Sequence, residues 1–224
     1  MPVELYHFES SVPSRVVRMV ARHIDLDLTL KELDIFKGEQ RKPEFLKINP
    51  EQTVPTIVDD GFVLSESRAI ITYLVRKYAP DSPVYPKGAR ERALVDKILM
   101  YDIGTFYKKV GDYFYPMLMH KQPYNPEREA AMAKELTFIQ TFLVGRKYMA
   151  SDELSLADFA LLGTLTLTEI ADYSLDGYPQ LKDYYENLKA ELPYFEEINR
   201  KGIDLFKAYA KALISTVHFV NKIE

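Results

Sequence analysis

The stretch Ala79-Pro80-Asp81-Ser82-Pro83-Val84-Tyr85-Pro86 places three prolines in eight residues. Each proline fixes its own φ, removes a backbone donor and biases the residue before it away from the helical region, so neither a helix nor a central strand continues through the segment. The chain is thereby cut into two parts of different periodicity, expected to be domains at 1–79 and 89–224 joined by a linker at 80–88. Ahead of the cut, residues 3–8 and 28–33 read as strands. They flank a helix predicted over 14–24, with Val16, Val17, Val20 and Ile24 inward and Arg15, Arg18 and Arg22 outward. A short helix near 43–47 follows. Two apolar runs, Thr56-Ile57-Val58 and Phe62-Val63-Leu64, are then separated by Asp59-Asp60-Gly61, a hairpin signal. Ser65-Glu66-Ser67 next supplies helix-starting oxygens, and Ala69, Ile70, Tyr73 and Leu74 repeat at helical spacing to about Tyr78.

The order βαβ-α-ββα predicts a thioredoxin-like α/β domain. Beyond the prolines the periodicity is helical almost without interruption. Helices are predicted over 89–119 with a bend at Pro116, 126–144 closed by Gly145, 156–173, 180–191 and 202–214, which makes the second domain all-α. Ser155-Leu156-Ala157-Asp158 reads as a capping box whose role is folding, with Leu154 and Phe159 as its apolar staple. The tail at 215–224 is expected either to form a short extra helix or to fray.

At 224 residues and 47% apolar, the chain can bury a sizeable core. It has no Cys, which excludes disulfides, Cys-based metal sites and a thiol nucleophile of its own. No apolar run approaches membrane-spanning length, no Asn-x-Ser/Thr sequon occurs and the first residues do not resemble a secretory leader. A cytoplasmic protein without a membrane partner is therefore expected. The net charge of −4, spread over 29 basic and 33 acidic residues, disfavours a nucleic-acid partner. His7, His23, His120 and His218 lack metal-ligand spacing, so no metal is assigned.

Glu9-Ser10-Ser11-Val12-Pro13-Ser14-Arg15 lies between the first strand and the first helix, where free backbone N–H groups and the positive end of the helix dipole favour an anion. Ser10, Ser11 or Ser14 can equally serve as a helix cap, and the residues alone leave both readings open. Four further motifs decide for a family: Phe36-Lys37-Gly38-Glu39, Pro43-Glu44-Phe45-Leu46-Lys47-Ile48-Asn49-Pro50, Ser65-Glu66-Ser67-Arg68-Ala69-Ile70 and Leu156-Ala157-Asp158. With Val54-Pro55, they make the chain resemble the glutathione transferases over nearly its whole length, most closely the insect delta and epsilon classes.

The resemblance implies a role for each of several residues. Ser11, two residues before Pro13, aligns with the activating serine, whose hydroxyl would donate to the glutathione sulfur; Ser10, Tyr6 and Ser14 stand next in line. The γ-glutamyl carboxylate would meet Ser67 at the helix start and its amine Glu66, with Arg68 and Asp102 as support. The cysteinyl backbone would pair with Val54 beside a cis Pro55. Thr53, Gln52 and Gln40 complete the glutathione set. The classes commonly carry His at the last two positions, and here amides replace it. Phe8, Pro13, Ile35, Tyr107, Val110, Tyr113, Phe114, Tyr115 and Phe206 would wall a site for flat apolar electrophiles.

The expected protein is thus a cytoplasmic glutathione transferase, with glutathione as co-substrate and the fold's two-fold homodimer as its assembly. The row Leu94, Ile98, Tyr101 and Thr105 on the helix beginning near Ala89 supplies an apolar face for either core or partner. The alternative is a non-catalytic carrier of apolar ligands built on the same fold.

Overall fold

The computed structural model describes residues 2–220, with side chains up to residue 213. Four strands, β1 (Val3–His7), β2 (Leu28–Glu32), β3 (Thr56–Asp59) and β4 (Phe62–Leu64), form one mixed sheet in the order β2-β1-β3-β4. β1 pairs parallel with β2, Val3 opposite Leu28, and antiparallel with β3, Leu5 opposite Ile57. The parallel pair needs a crossover, which α1 (Val12–His23) provides. The β3–β4 connection is shorter than expected, because Asp59 pairs with Phe62 and leaves Asp60-Gly61 as a two-residue loop. Both loop residues have positive φ, 50° and 82°, as the tightest right-twisting hairpin turn requires.

α1 begins two residues earlier than predicted. Pro13 fits the first turn, where its missing N–H costs nothing, and Ser11 is the N-cap. Of the three arginines expected outward, Arg22 is exposed and Arg18 half-buried, but Arg15 is not where the periodicity put it. Arg15 is fully buried and donates through Nη2 to Thr166 Oγ1 at 2.8 Å. The reason is that α1 packs on α3 (Ser67–Tyr78) on one side and on α7 (Leu156–Ile170) and α9 (Phe195–Val220) on the other. A helix enclosed in this way keeps only a narrow solvent-facing stripe, and Arg15 falls outside it.

After the proline segment the chain is all-helical: α4 (Ala89–Tyr101), α5 (Tyr107–His120), α6 (Pro126–Phe142), α7, α8 (Pro179–Glu191) and α9, with α2 (Pro43–Leu46) the short helix of the first domain. α7 is buried on every side, and the capping box at Ser155 and Asp158 forms as read. Asp158 Oδ1 further accepts from Met149 N–H and the Tyr184 hydroxyl. The predicted single helix over 89–119 is instead divided by a π-helical turn at Asp102–Phe106, while Pro116 lies inside α5. α9 starts seven residues before the predicted Gly202. Gly202 had looked like a boundary, but a Cβ there would lie 2.2 Å from the Glu9 carbonyl oxygen, so the glycine is what allows α9 to touch the β1–α1 loop. Of the tail, residues up to Val220 continue α9, and the rest falls outside the described residues. No described helix is long and apolar enough to cross a membrane.

Candidate functional site

The β1–α1 loop, the segment around residues 35–40, the turn before β3, α5 and α9 enclose a cleft of about 290 Å³. Its lining includes Phe8, Ser11, Pro13, Ile35, Gln40, Gln52, Thr53, Val54, Tyr107, Tyr115 and Phe206, all assigned to the site from sequence, and Ser10, which stood next in line to Ser11, together with Val12, Phe36 and Met119, which were not assigned to it.

Ser11 stands at the positive end of α1. Its Oγ accepts from Ser14 N–H at 3.3 Å and its own N–H donates to Phe8 O at 2.9 Å. Capping occupies a lone pair and leaves the hydroxyl proton free, so the two readings of this serine are compatible. Ser10 Oγ and Ser14 Oγ are buried and have no partner among the described residues. Tyr6 packs on Phe45 and donates to Glu4 at 3.4 Å. Neither Ser14 nor Tyr6 belongs to the cleft lining.

The opposite side is built on the turn before β3. The Val54–Pro55 bond is cis, and Val54 precedes Thr56, the first paired residue of β3. Buried Asn49 fixes this turn: its Nδ2 donates to Thr53 O and Thr53 Oγ1, both at 3.2 Å, and to Thr56 Oγ1 at 2.9 Å. Gln52 is exposed and Gln40 half-buried, with the Gln40 Oε1 atom enclosed and without a partner among the described residues.

At the start of α3, Glu66 is held at φ 66° and ψ 103°, a conformation costly for a residue with a Cβ and one that persists only where its surroundings enforce it. Its side chain is exposed and its carbonyl accepts from Ile70 N–H at 2.9 Å. Ser67, Arg68 and Asp102 are buried together. Arg68 donates through Nη1 to Ser67 Oγ at 2.8 Å and through Nη2 to Asp102 Oδ2, and Asp102 Oδ1 accepts from Thr164 at 2.8 Å. The π-helical turn is what carries Asp102 into the interior. The Arg68 guanidinium also lies 5.7 Å from the centre of the Tyr107 ring, so this ionic network backs directly onto the cleft wall.

The aromatic wall is a connected set. Phe8 meets Phe36 edge-on at 4.9 Å, Phe36 stacks on Tyr209 at 3.9 Å, and Phe206 stacks on Tyr115 at 6.2 Å. Three residues expected in it lie elsewhere. Val110 is fully buried, and Tyr113 and Phe114 turn away to pack against Tyr173 at 6.2 and 5.7 Å. The face of α5 that meets the cleft carries Tyr107, Tyr115 and Met119, a four-residue spacing, and of the side chains between them Val110, Tyr113 and Phe114 are buried while Lys108 and Asp112 are exposed. Among the described residues no cluster could hold a metal ion.

Several charged groups near the loop are tuned by packing. Burial would raise the Glu9 carboxyl, but the Arg18 guanidinium at 2.7 Å and the Lys201 charge hold it below its ordinary value. His7 is pushed down to about 4, mainly by burial and then by Arg18.

Comparison with known proteins agrees in both halves of the chain. Residues 5–83 match the family model for the glutathione S-transferase N-terminal domain and residues 95–191 that for the C-terminal domain. A delta-class glutathione transferase of Nilaparvata lugens is 37% identical with a TM-score of 0.90, covering 94% of this chain and 99% of its own. A Bombyx mori glutathione transferase is 36% identical with a TM-score of 0.89, covering 93% and 98%. An epsilon-class enzyme of the housefly Musca domestica is 31% identical with a TM-score of 0.85, covering 94% and 97%.

Proposed function

The chain belongs to the glutathione S-transferase family, and from that premise we propose that it presents a glutathione thiolate, activated by Ser11, to hydrophobic electrophiles. The observation that carries this reading is the Ser11 hydroxyl: it lines the cleft, sits on a helix N-terminus and keeps its proton after capping. A thiol of ordinary pKa ~8.5 is roughly 7% ionised near pH 7.4. Lowering it by about two units, worth about 2.7 kcal/mol, raises that to roughly 90%. One hydrogen bond to an anion and a helix terminus together are of that size.

Ser67 supports the other end of the tripeptide by the same logic. Its oxygen already accepts from Arg68, which leaves its proton for the γ-glutamyl carboxylate, with Glu66 for the amine. Val54, Thr53, Gln52 and Gln40 would receive the cysteinyl and glycyl parts, the last two by amide hydrogen bonds without charge. Phe8, Pro13, Ile35, Tyr107, Tyr115 and Phe206, with Phe36 and Met119, form the acceptor side. The protein owns no Cys, so the reacting sulfur comes from the co-substrate. Rate acceleration then comes from thiolate stabilisation and proximity.

We further propose a cytoplasmic homodimer acting in detoxification. The rival, a carrier that binds apolar ligands without turnover, is favoured only by Gln40 and Gln52, where a charged contact to the glycyl carboxylate is missing. Retention on immobilised glutathione followed by turnover with a dinitro-substituted aryl chloride separates the two. Retention with turnover is expected, and apolar-ligand binding without either would establish the carrier.

A further inference from the structure

Among the described residues the lining of the cleft contains no Lys, Arg, His, Asp or Glu. The basic residues that flank Gln40 in sequence are committed elsewhere: Lys37 pairs with Asp34 and Lys42 with Glu39, both at 2.9 Å, and Arg41 is exposed and outside the lining. Arg68, at the start of α3, is buried in its pair with Asp102. The turn before Gln40 is fixed locally. Asp34 Oδ1 accepts from the N–H groups of Phe36 and Lys37 at 3.0 and 3.2 Å, and Glu39 Oε2 accepts from Asp34 N–H at 2.9 Å. Directly after this anchored turn, Gln40 joins the cleft lining with its Oε1 enclosed and without a partner among the described residues. An enclosed amide oxygen that accepts nothing is a cost until a donor reaches it.

Glutathione ends in a carboxylate, which at neutral pH is charged and offers acceptors only. Set against Gln40 Oε1 it brings no donor, and beside a wall without a cation its lost hydration is offset by neutral hydrogen bonds alone. The same peptide ending in a primary amide has no charge to desolvate and carries two N–H donors. We infer that the cleft accepts thiol peptides with an uncharged C-terminus, glycine amides above all, as co-substrates at least as well as glutathione itself. The inference rests on the transferase reading above, with the glycyl end of the tripeptide at Gln40 and Gln52. Gln40 is then the residue that determines specificity, its amide meeting the C-terminal amide of the peptide. The sulfur, the cysteinyl backbone and the γ-glutamyl group are common to both thiols, so Ser11, Val54, Ser67 and Glu66 serve them alike and the difference is confined to the C-terminus.

The test measures KM and kcat for γ-glutamyl-cysteinyl-glycine amide and for glutathione, with one aryl chloride at fixed concentration, in wild type and in Gln40→Lys. In wild type the KM of the amide is expected at or below that of glutathione, within a factor of two, at similar kcat. Gln40→Lys puts a cation where the neutral amide stood and should reverse the order, lowering the KM of glutathione about fivefold or more while that of the amide falls less than twofold. A wild-type KM for the amide more than twofold above that of glutathione would overturn the inference by showing that a cation reaches the carboxylate. So would a Gln40→Lys protein of unchanged thermal midpoint that shifts both thiols equally. Where that variant is unstable, the wild-type comparison decides alone. Turnover with glutathione but not with the amide contradicts this inference only; turnover with neither thiol contradicts the transferase reading beneath it.

Discussion

Ser11 and Ser67 are placed alike: each hydroxyl oxygen accepts from a donor of positive character, the α1 backbone or Arg68, and in the proposed function each keeps its proton for glutathione. Residue type and position marked both serines in the sequence as helix-start residues, and their proposed ligand roles came from the family resemblance, because capping residues and anion-binding residues are drawn from the same short list. Asn49 and the buried Arg15 were not legible as contributors, since their partners, Thr53 and Thr56 for one and Thr166 for the other, are fixed only by the fold. Gln52 and Gln40 line the cleft as amides, and replacing Gln52 by His adds partial positive charge there below neutral pH. Glutathione binding to Gln52→His should tighten progressively from pH 8 to pH 6 in titration calorimetry; an affinity independent of pH would place the residue away from the glycyl carboxylate. His7 makes the opposite kind of prediction. Its folded value of about 4 lies below the ordinary 6.5, so the unfolded chain binds the extra proton between those limits and stability falls as pH drops through them. Glu9, Arg18 and Lys201 surround it. Urea midpoints at pH 7.5 and 5.5 should differ less in His7→Gln than in wild type, by about 1 kcal/mol in free energy. Equal differences would assign the acid sensitivity to other groups.

At the scale of elements, the strands, the hairpin and the capped start of α7 followed directly from pattern, because each depends on residues within a few positions of one another. The failures were places where distant packing decides. The π-helical turn at Asp102–Phe106 carries no breaker except Gly104, and the buried Arg68–Asp102 pair it contributes to is made across 34 positions of sequence. On α5 the cleft is met by Tyr107, Tyr115 and Met119, while Val110, Tyr113 and Phe114, expected there, are buried in the helical core. Gly202 is the third case, a glycine that marks contact rather than an end. Gly202→Ala must push α9 off the Glu9 carbonyl, and an overpacked contact of this kind costs about 1–3 kcal/mol. A lowered thermal midpoint with weakened acceptor binding is expected, since Phe206 rides on the same helix. A midpoint unchanged within a degree would mean that the loop yields freely.

Across the whole molecule, one apolar core runs through both halves, and Val16 of α1 fits against Gly163 of α7, where a Cβ would lie 2.3 Å from Val16 Cγ2. The cleft lies where elements of the two halves face each other, so its shape depends on how they are held. Of the row on α4, Ile98 is buried and Leu94 is 48% exposed. Exposed Leu94 and Met100 on α4, with Phe62 and Val63 on β4, leave apolar surface that a second copy would cover. Light scattering should therefore return about twice the chain mass of 25.9 kDa at micromolar concentration; the mass of a single chain with full turnover would reject the dimer. The claim on which the rest depends is thiolate formation by Ser11. The pH dependence of kcat/KM with glutathione and an aryl chloride, taken for wild type and Ser11→Ala, measures it directly. The account predicts an apparent thiol pKa well below ~8.5 in wild type, a rise toward that value in the variant, and a loss of about ten- to hundredfold at neutral pH, the size of one hydrogen bond to an anion. The same apparent pKa in both proteins would contradict it.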